Sequence, residues 1–161
     1  MVWAGVSAYG KPQVYFIEHG ATITSKYYIE HVIEPLIKYD IPRLFPGDMQ
    51  KKMILHQDSA PGHVAKDTIS YMKEHKINVI MPDEWLPKSP DAAPMDYSIW
   101  GIMKERVRKH KVSTLKGLKH AIKVEWENLE QDVIDNALKS WAKRCRLIHY
   151  AHGSHIEHLL Q

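Results

Sequence analysis

The chain has 161 residues, the size of one domain, with 44% hydrophobic and 25% charged residues and a formal net charge of +3. No apolar run approaches the roughly 18–20 residues of a membrane span, and residues 1–20 lack the basic start and apolar block of a secretory leader, so neither is expected. The single cysteine, Cys145, excludes an internal disulfide and a cysteine-based zinc site, and fits a reducing compartment.

Residues 1–20 predict a hairpin: Val2, Trp3 and Val6, then Val14 to Ile17, are strand formers, and "YGK" is the turn between them. Residues 23–38 predict a helix with Tyr27, Tyr28, Val32, Leu36 and Ile37 at helical spacing. Thr24 or Ser25 can cap it. Pro35 predicts a kink or break near Glu34. "YDIPRLFPGDMQKK" reads as a loop, and "MILHQD" as a short buried strand.

"HVAKDTISYMKEHK" follows as a helix with Val64, Ile69 and Met72 inward, then the strand "INVIMP" and the proline-rich connection "DEWLPKSPDAAP". "MDYSIWGIMKERVRKH" is a helix with Ile99, Trp100, Met103 and Val107 on its apolar face. Two amphipathic stripes complete the pattern, one from Leu115 to Leu129 and one from Val133 to Trp141. No internal repeat or low-complexity tract interrupts it. Strands that first pair antiparallel and then cross over in parallel predict an α/β fold with a mixed sheet covered by helices.

The charge is unevenly placed. Residues 1–96 carry 10 Lys+Arg against 12 Asp+Glu, whereas residues 97–161 carry 12 against 7. The basic excess begins at "MKERVRKHK" and continues through Lys116, Lys119 and Lys123. It is either a solvated helix face or a surface that contacts phosphates.

Two carboxylates stand where chemistry is usually placed in α/β proteins. Asp58 ends a strand, and strand ends are common ligand sites. Asp96 lies in the first turn of a helix, 37 residues further on. That gap holds one helix, one strand and a loop, and such a path returns the chain to the same sheet edge. Two ionised carboxylates meeting there repel each other unless a divalent cation joins them. Oxygen ligands favour magnesium or manganese. The competing reading is that both are helix caps. Asp91 is a rival second carboxylate, although "SPDAAP" has the composition of a turn. His152, His155 and His158 are spaced for a histidine zinc site, but a glycine interrupts them. Trp3, Trp100, Trp126 and Trp141 are expected in the core, and Trp85 against a nucleic acid.

"HQDSAPGHVAK" followed by "WLPKSPDAAPMDYSIWG" resembles the catalytic core of mariner-type DNA transposases of the mariner/Tc superfamily. Asp58 matches the aspartate of the family's "DNAPxH"-like segment, and Asp96 the last acid of its "SPDLxPxDY"-like segment. "MVWAGVSAYGK" and "GSHIEHLL" also resemble parts of the family, so the likeness covers essentially the whole chain as one catalytic domain, residues 1–161. The gap between the two acids resembles a lineage that also ends in Asp.

The resemblance implies an RNase H-like fold and metal-dependent cleavage and transfer of DNA strands. It implies Asp58 and Asp96 as catalytic ligands of Mg²⁺ or Mn²⁺. DNA contact is expected at His63, Lys66, Trp85, Lys104, Arg106, Arg108 and Lys109. Transposon ends are the implied partner, a homodimer the implied assembly and the nucleus the implied location. The family's first carboxylate and its strand, central in the sheet, and the helix-turn-helix region have no counterpart in these 161 residues. An incomplete metal site and a gap in the sheet with unpaired backbone groups are therefore expected, with low activity for the chain alone and either low stability or pairing with another chain. The alternative is a non-catalytic transposase-derived module that binds DNA or protein.

Overall fold

Thr24 starts the first long helical segment. The computed structural model, which describes residues 1–81, 83–84 and 90–160, shows its side chain accepting from the Tyr27 amide at 3.2 Å. Helix α1 (Ser25–Tyr28) runs into a π-helical turn at Ile29–Ile33, a second at Leu36–Asp40, and α2 (Ile41–Leu44). Helical backbone thus continues through Pro35, where the sequence predicts a break. Proline has no N–H for an ordinary helical bond. The flanking turns widen instead, with the Glu34 amide donating to the Ile29 carbonyl and the Ile41 amide to that of Leu36.

The segment read as a loop is also mostly helical: Pro42 sits in the first turn of α2, where a missing N–H costs nothing, and Gly47–Lys52 forms a 3₁₀ helix.

The chain divides into two units, Met1–Ala4 with Lys11–Pro87, and Gly5–Gly10 with Lys88–Gln161. In the first, β1 (Val2–Trp3) pairs antiparallel with β2 (Tyr15–Phe16), and β3 (Ile54–Leu55) pairs parallel with β4 (Asn78–Val79). Among the described residues these remain two separate ribbons rather than one mixed sheet. No described strand joins them, and Ile54, expected inside, is 62% exposed.

Helices α3 (Pro61–Val64) and α4 (Lys66–Glu74) connect β3 to β4. Met72 and Thr68 of α4 are fully buried, whereas Val64 and Ile69 are half-buried. The unit's core gathers Tyr15, Tyr28, Val32, Ile33, Met72 and Ile77.

A buried carboxylate at the end of the Leu36–Asp40 turn ties that segment to the hairpin. Asp40 accepts from the Tyr15 hydroxyl at 2.5 Å, the Gln13 amide at 3.2 Å and the Arg43 guanidinium at 2.9 Å. Three donors meet the need of an ionised group taken out of water.

In the second unit, a 3₁₀ turn at Pro90–Ala92 precedes a π-helical turn at Met95–Ile99, which continues into α5 (Trp100–Arg108). Helices α6 (Leu115–Glu127) and α7 (Gln131–Tyr150) follow. Ile99, Met103, Trp126, Leu129 and Ile134 are buried as their spacing predicts, and Trp100 is half-buried, as is Trp3 in the first unit. The ends of both stripes depart from expectation: Leu115 is 58% exposed, and Trp141 is on the surface. Trp141 lies along α7 between the buried Ala137 and Ile148. The hairpin tip belongs here, with Ser7 and Gly10 exchanging backbone hydrogen bonds and the Gln131 side chain donating to the Ser7 carbonyl.

Candidate metal centre

Asp58 stands just beyond β3, where the chain turns into α3. Its Oδ1 accepts the Ala60 amide at 3.0 Å, which makes the turn. The same oxygen lies 2.6 Å from Nδ1 of His63. Among the described residues no hydrogen bond falls on Oδ2, and the side chain is 74% exposed. The carboxyl is held below its ordinary pKa, first by the His63 hydrogen bond; desolvation opposes this, and the Ala60 amide adds a smaller lowering. The group is ionised at neutral pH, fixed through one oxygen and open at the other. That suits a hard divalent cation.

His63 is held on every side. Its ring packs against the Tyr28 ring at 4.3 Å between centroids, and its backbone carbonyl accepts from Gln57 at 3.2 Å. Gln57 in turn accepts from the Tyr28 hydroxyl at 2.8 Å. With 14% of its side chain exposed, His63 faces Asp58 more than solvent. His56, two residues before Asp58, has its pKa lowered by burial. Gln57, Asp58, Ser59, Val64, Ile69 and Met81 line a cleft at this point.

The tight approach of α3 to the preceding chain depends on Gly62. A Cβ there would stand 3.1 Å from the Ile23 carbonyl oxygen. The Thr68 hydroxyl closes the same turn by donating to the Gly62 carbonyl at 2.7 Å.

Asp96 is exposed in the first turn of Met95–Ile99, and its amide donates to the Ala93 carbonyl at 2.8 Å. Pro94, not Asp96, is the N-cap of that turn. Asp91 has a different place. It is 7% exposed; its Oδ2 accepts the Ile156 amide at 3.0 Å, and its backbone carbonyl accepts from Arg144. Arg144 also lies over the Tyr97 ring at 3.8 Å, while the Tyr97 hydroxyl donates to the Ala137 carbonyl. Asp91 therefore fastens the C-terminal segment to the turn that precedes Asp96. No sequence signal marks this role, because the partner is 65 residues away.

The basic residues separate by partner. Arg106 donates to the Asn128 carbonyl and to Glu130, at 3.2 and 2.7 Å, pinning α5 to the end of α6. Arg108 pairs with Glu105 on its own helix. Lys66, Lys104 and Lys109 are exposed. Trp85 lies outside the described residues. Among the described residues no group of three or more His, Cys, Asp or Glu could by itself hold a metal ion, and His155 instead lies 3.5 Å from Asp91.

Solved structures of the Mos1 transposase resemble this chain. The catalytic domain with raltegravir and manganese matches 97% of this chain and 76% of its own, at a TM-score of 0.80 and 19% identity. The catalytic domain of the Mos1 mariner transposase matches 97% and 74%, at 0.77 and 18%. The Mos1 paired-end complex with the left transposon end matches 97% of this chain and 44% of that one, at 0.80 and 18%. At such identity the likeness shows the fold alone, the RNase H-like fold of the Mos1 catalytic domain. No family model and no curated protein matches the chain.

Proposed function

We propose that this chain carries two of the metal-binding carboxylates of a mariner-type DNA transposase centre, Asp58 and Asp96. The state of Asp58 carries the reading: an ionised carboxylate, immobilised through one oxygen, at the end of a strand in a transposase-type fold. Magnesium or manganese ions, when bound, supply an activated water and stabilise the leaving oxygen of a phosphodiester.

The chain's own residues provide the rest. The Ala60 amide and His63 orient Asp58. Lys66, Lys104, Arg108 and Lys109 meet DNA phosphates, Trp85 stacks on a base, and Arg106 keeps α5 in place. The substrate is DNA at transposon ends, and the same reading implies a homodimer and a nuclear location. With two carboxylates, this polypeptide by itself holds Mg²⁺ weakly and cleaves slowly or not at all. The absence of a three-ligand group among the described residues favours one alternative, a non-catalytic module that binds DNA or protein.

The test is a double-mutant cycle on Mn²⁺ affinity, followed by electron paramagnetic resonance, with Asp58→Asn, Asp96→Asn and both. Carboxylates that share a cation give non-additive losses. Additive losses, or none, would leave only the module.

A further inference from the structure

We propose that the exposed face of α7 is a second DNA-binding surface, on which Lys139, Lys143 and Arg146 hold the phosphate backbone. The proposal rests on the nucleic-acid part of the reading above and is independent of its metal chemistry.

Residues 136–150, "NALKSWAKRCRLIHY", contain four Lys+Arg and no Asp or Glu. At about 100° per residue, Lys139, Lys143, Arg146 and Tyr150 fall within an arc of about 60° on one side of α7. All four are exposed, whereas Ile134, Ala137 and Ile148 of the same helix are buried. Arg144, the fourth cation, points the other way and is held by Tyr97 and the Asp91 carbonyl. The helix thus sorts its cations into one with a structural partner and three facing solvent.

Those three form no ion pair among the described residues. Arg106 and Arg108 of α5 differ, since each already has a carboxylate. Asp132 and Asp135 lie on the same side nearer the start of α7, Asp135 four residues before Lys139; from Lys139 onward that side carries no acid, and like charges four apart, as at Lys139 and Lys143, oppose helix formation. Favourable interaction with the helix dipole does not explain the stripe either. That effect fades within the last turn, and Lys139 and Lys143 lie before it. From Lys139 to Arg146 the stripe runs about 10 Å, the rise of about three base pairs. Tyr150, 74% exposed, ends it with a ring that can lie on sugar or base.

The experiment follows binding of the whole chain to a labelled random-sequence duplex in EDTA, by fluorescence anisotropy at a series of KCl concentrations. The parent is compared with Lys139→Gln/Lys143→Gln/Arg146→Gln, with Lys143→Gln alone, and with Lys139→Arg/Lys143→Arg. Far-UV circular dichroism reports folding. The log–log salt slope is expected to flatten by about 0.9 for each phosphate that is no longer neutralised, close to three for the triple variant and one for the single. The arginine variant keeps the parent slope. A parent that does not bind the duplex, a triple variant with an unchanged slope, or binding to phosphatidylserine vesicles in place of DNA would each overturn the proposal. Additive carboxylate losses in the manganese cycle with this slope intact would remove the metal reading and leave the surface standing.

Discussion

Nδ1 of His63 lies 2.6 Å from Oδ1 of Asp58, and this hydrogen bond does most to hold the Asp58 carboxyl below its ordinary pKa. The histidine is itself braced by Tyr28 and Gln57, so an aromatic ring in the core reaches the carboxylate through two side chains.

A second residue that orients a metal ligand typically changes affinity by about 10–100-fold when removed. His63→Ala is expected to weaken Mn²⁺ binding by that much. His63→Asn, which keeps a donor of similar reach, should recover part of it. Electron paramagnetic resonance titration measures both; equal affinity in parent and His63→Ala would show that Asp58 needs no such support.

Gly62→Ala is expected to destabilise the protein by about 1–3 kcal/mol, because the new Cβ meets backbone rather than a yielding side chain. Urea unfolding followed by tryptophan fluorescence measures it. A midpoint equal to that of the parent would mean that α3 can move away from Ile23 without loss.

Asp91→Ala removes the acceptor of the Ile156 amide and leaves that buried donor unpaired, at about 1–3 kcal/mol. The expected result is faster amide exchange over residues 151–160, with β3 and β4 unaffected. Hydrogen-exchange mass spectrometry resolves the two regions, and protection of the C-terminal segment unchanged from the parent would contradict the clamp.

Burial, and then the hydrogen bond to Asp40, raises the Tyr15 pKa above its ordinary value of about 10. A phenol that keeps its proton longer when folded adds stability below the unfolded value. That stability is lost as pH rises towards the folded value. Urea midpoints should therefore hold near about pH 8–9 and fall above about pH 10. Tyr15→Phe should be less stable at neutral pH, because Asp40 loses a donor, and show a shallower alkaline decline. An identical alkaline decline in parent and variant would assign it to other tyrosines, Tyr28 first, whose pKa burial also raises.

Local chemistry was legible in the residues themselves. The Thr24 cap, the hairpin start, the amphipathic cores of α6 and α7, and the two acids in their motif segments depend on neighbours a few positions away. The likeness to a transposase core followed from those segments, and the fold comparison agrees with it. Less was legible where prolines stood. Pro35 and Pro42 read as breakers, yet wide π turns and a first-turn position accommodate them.

Partner choice was not legible, because it is settled over long separations. By sequence alone Arg106 and Arg108 read alike as DNA contacts, Lys139 carries no expectation, and nothing marks Asp91 as a clamp. Folding brings Glu130 to Arg106 and Ile156 to Asp91, across 24 and 65 residues, and leaves Lys139, Lys143 and Arg146 facing water. The sequence by itself determined which chemical groups the protein carries and at what helical or strand spacing. Only the tertiary structure decided which of those charges are neutralised within the fold and which remain available, since the Coulomb and hydrogen-bond terms that decide it act over a few ångströms of space, whatever the distance along the chain.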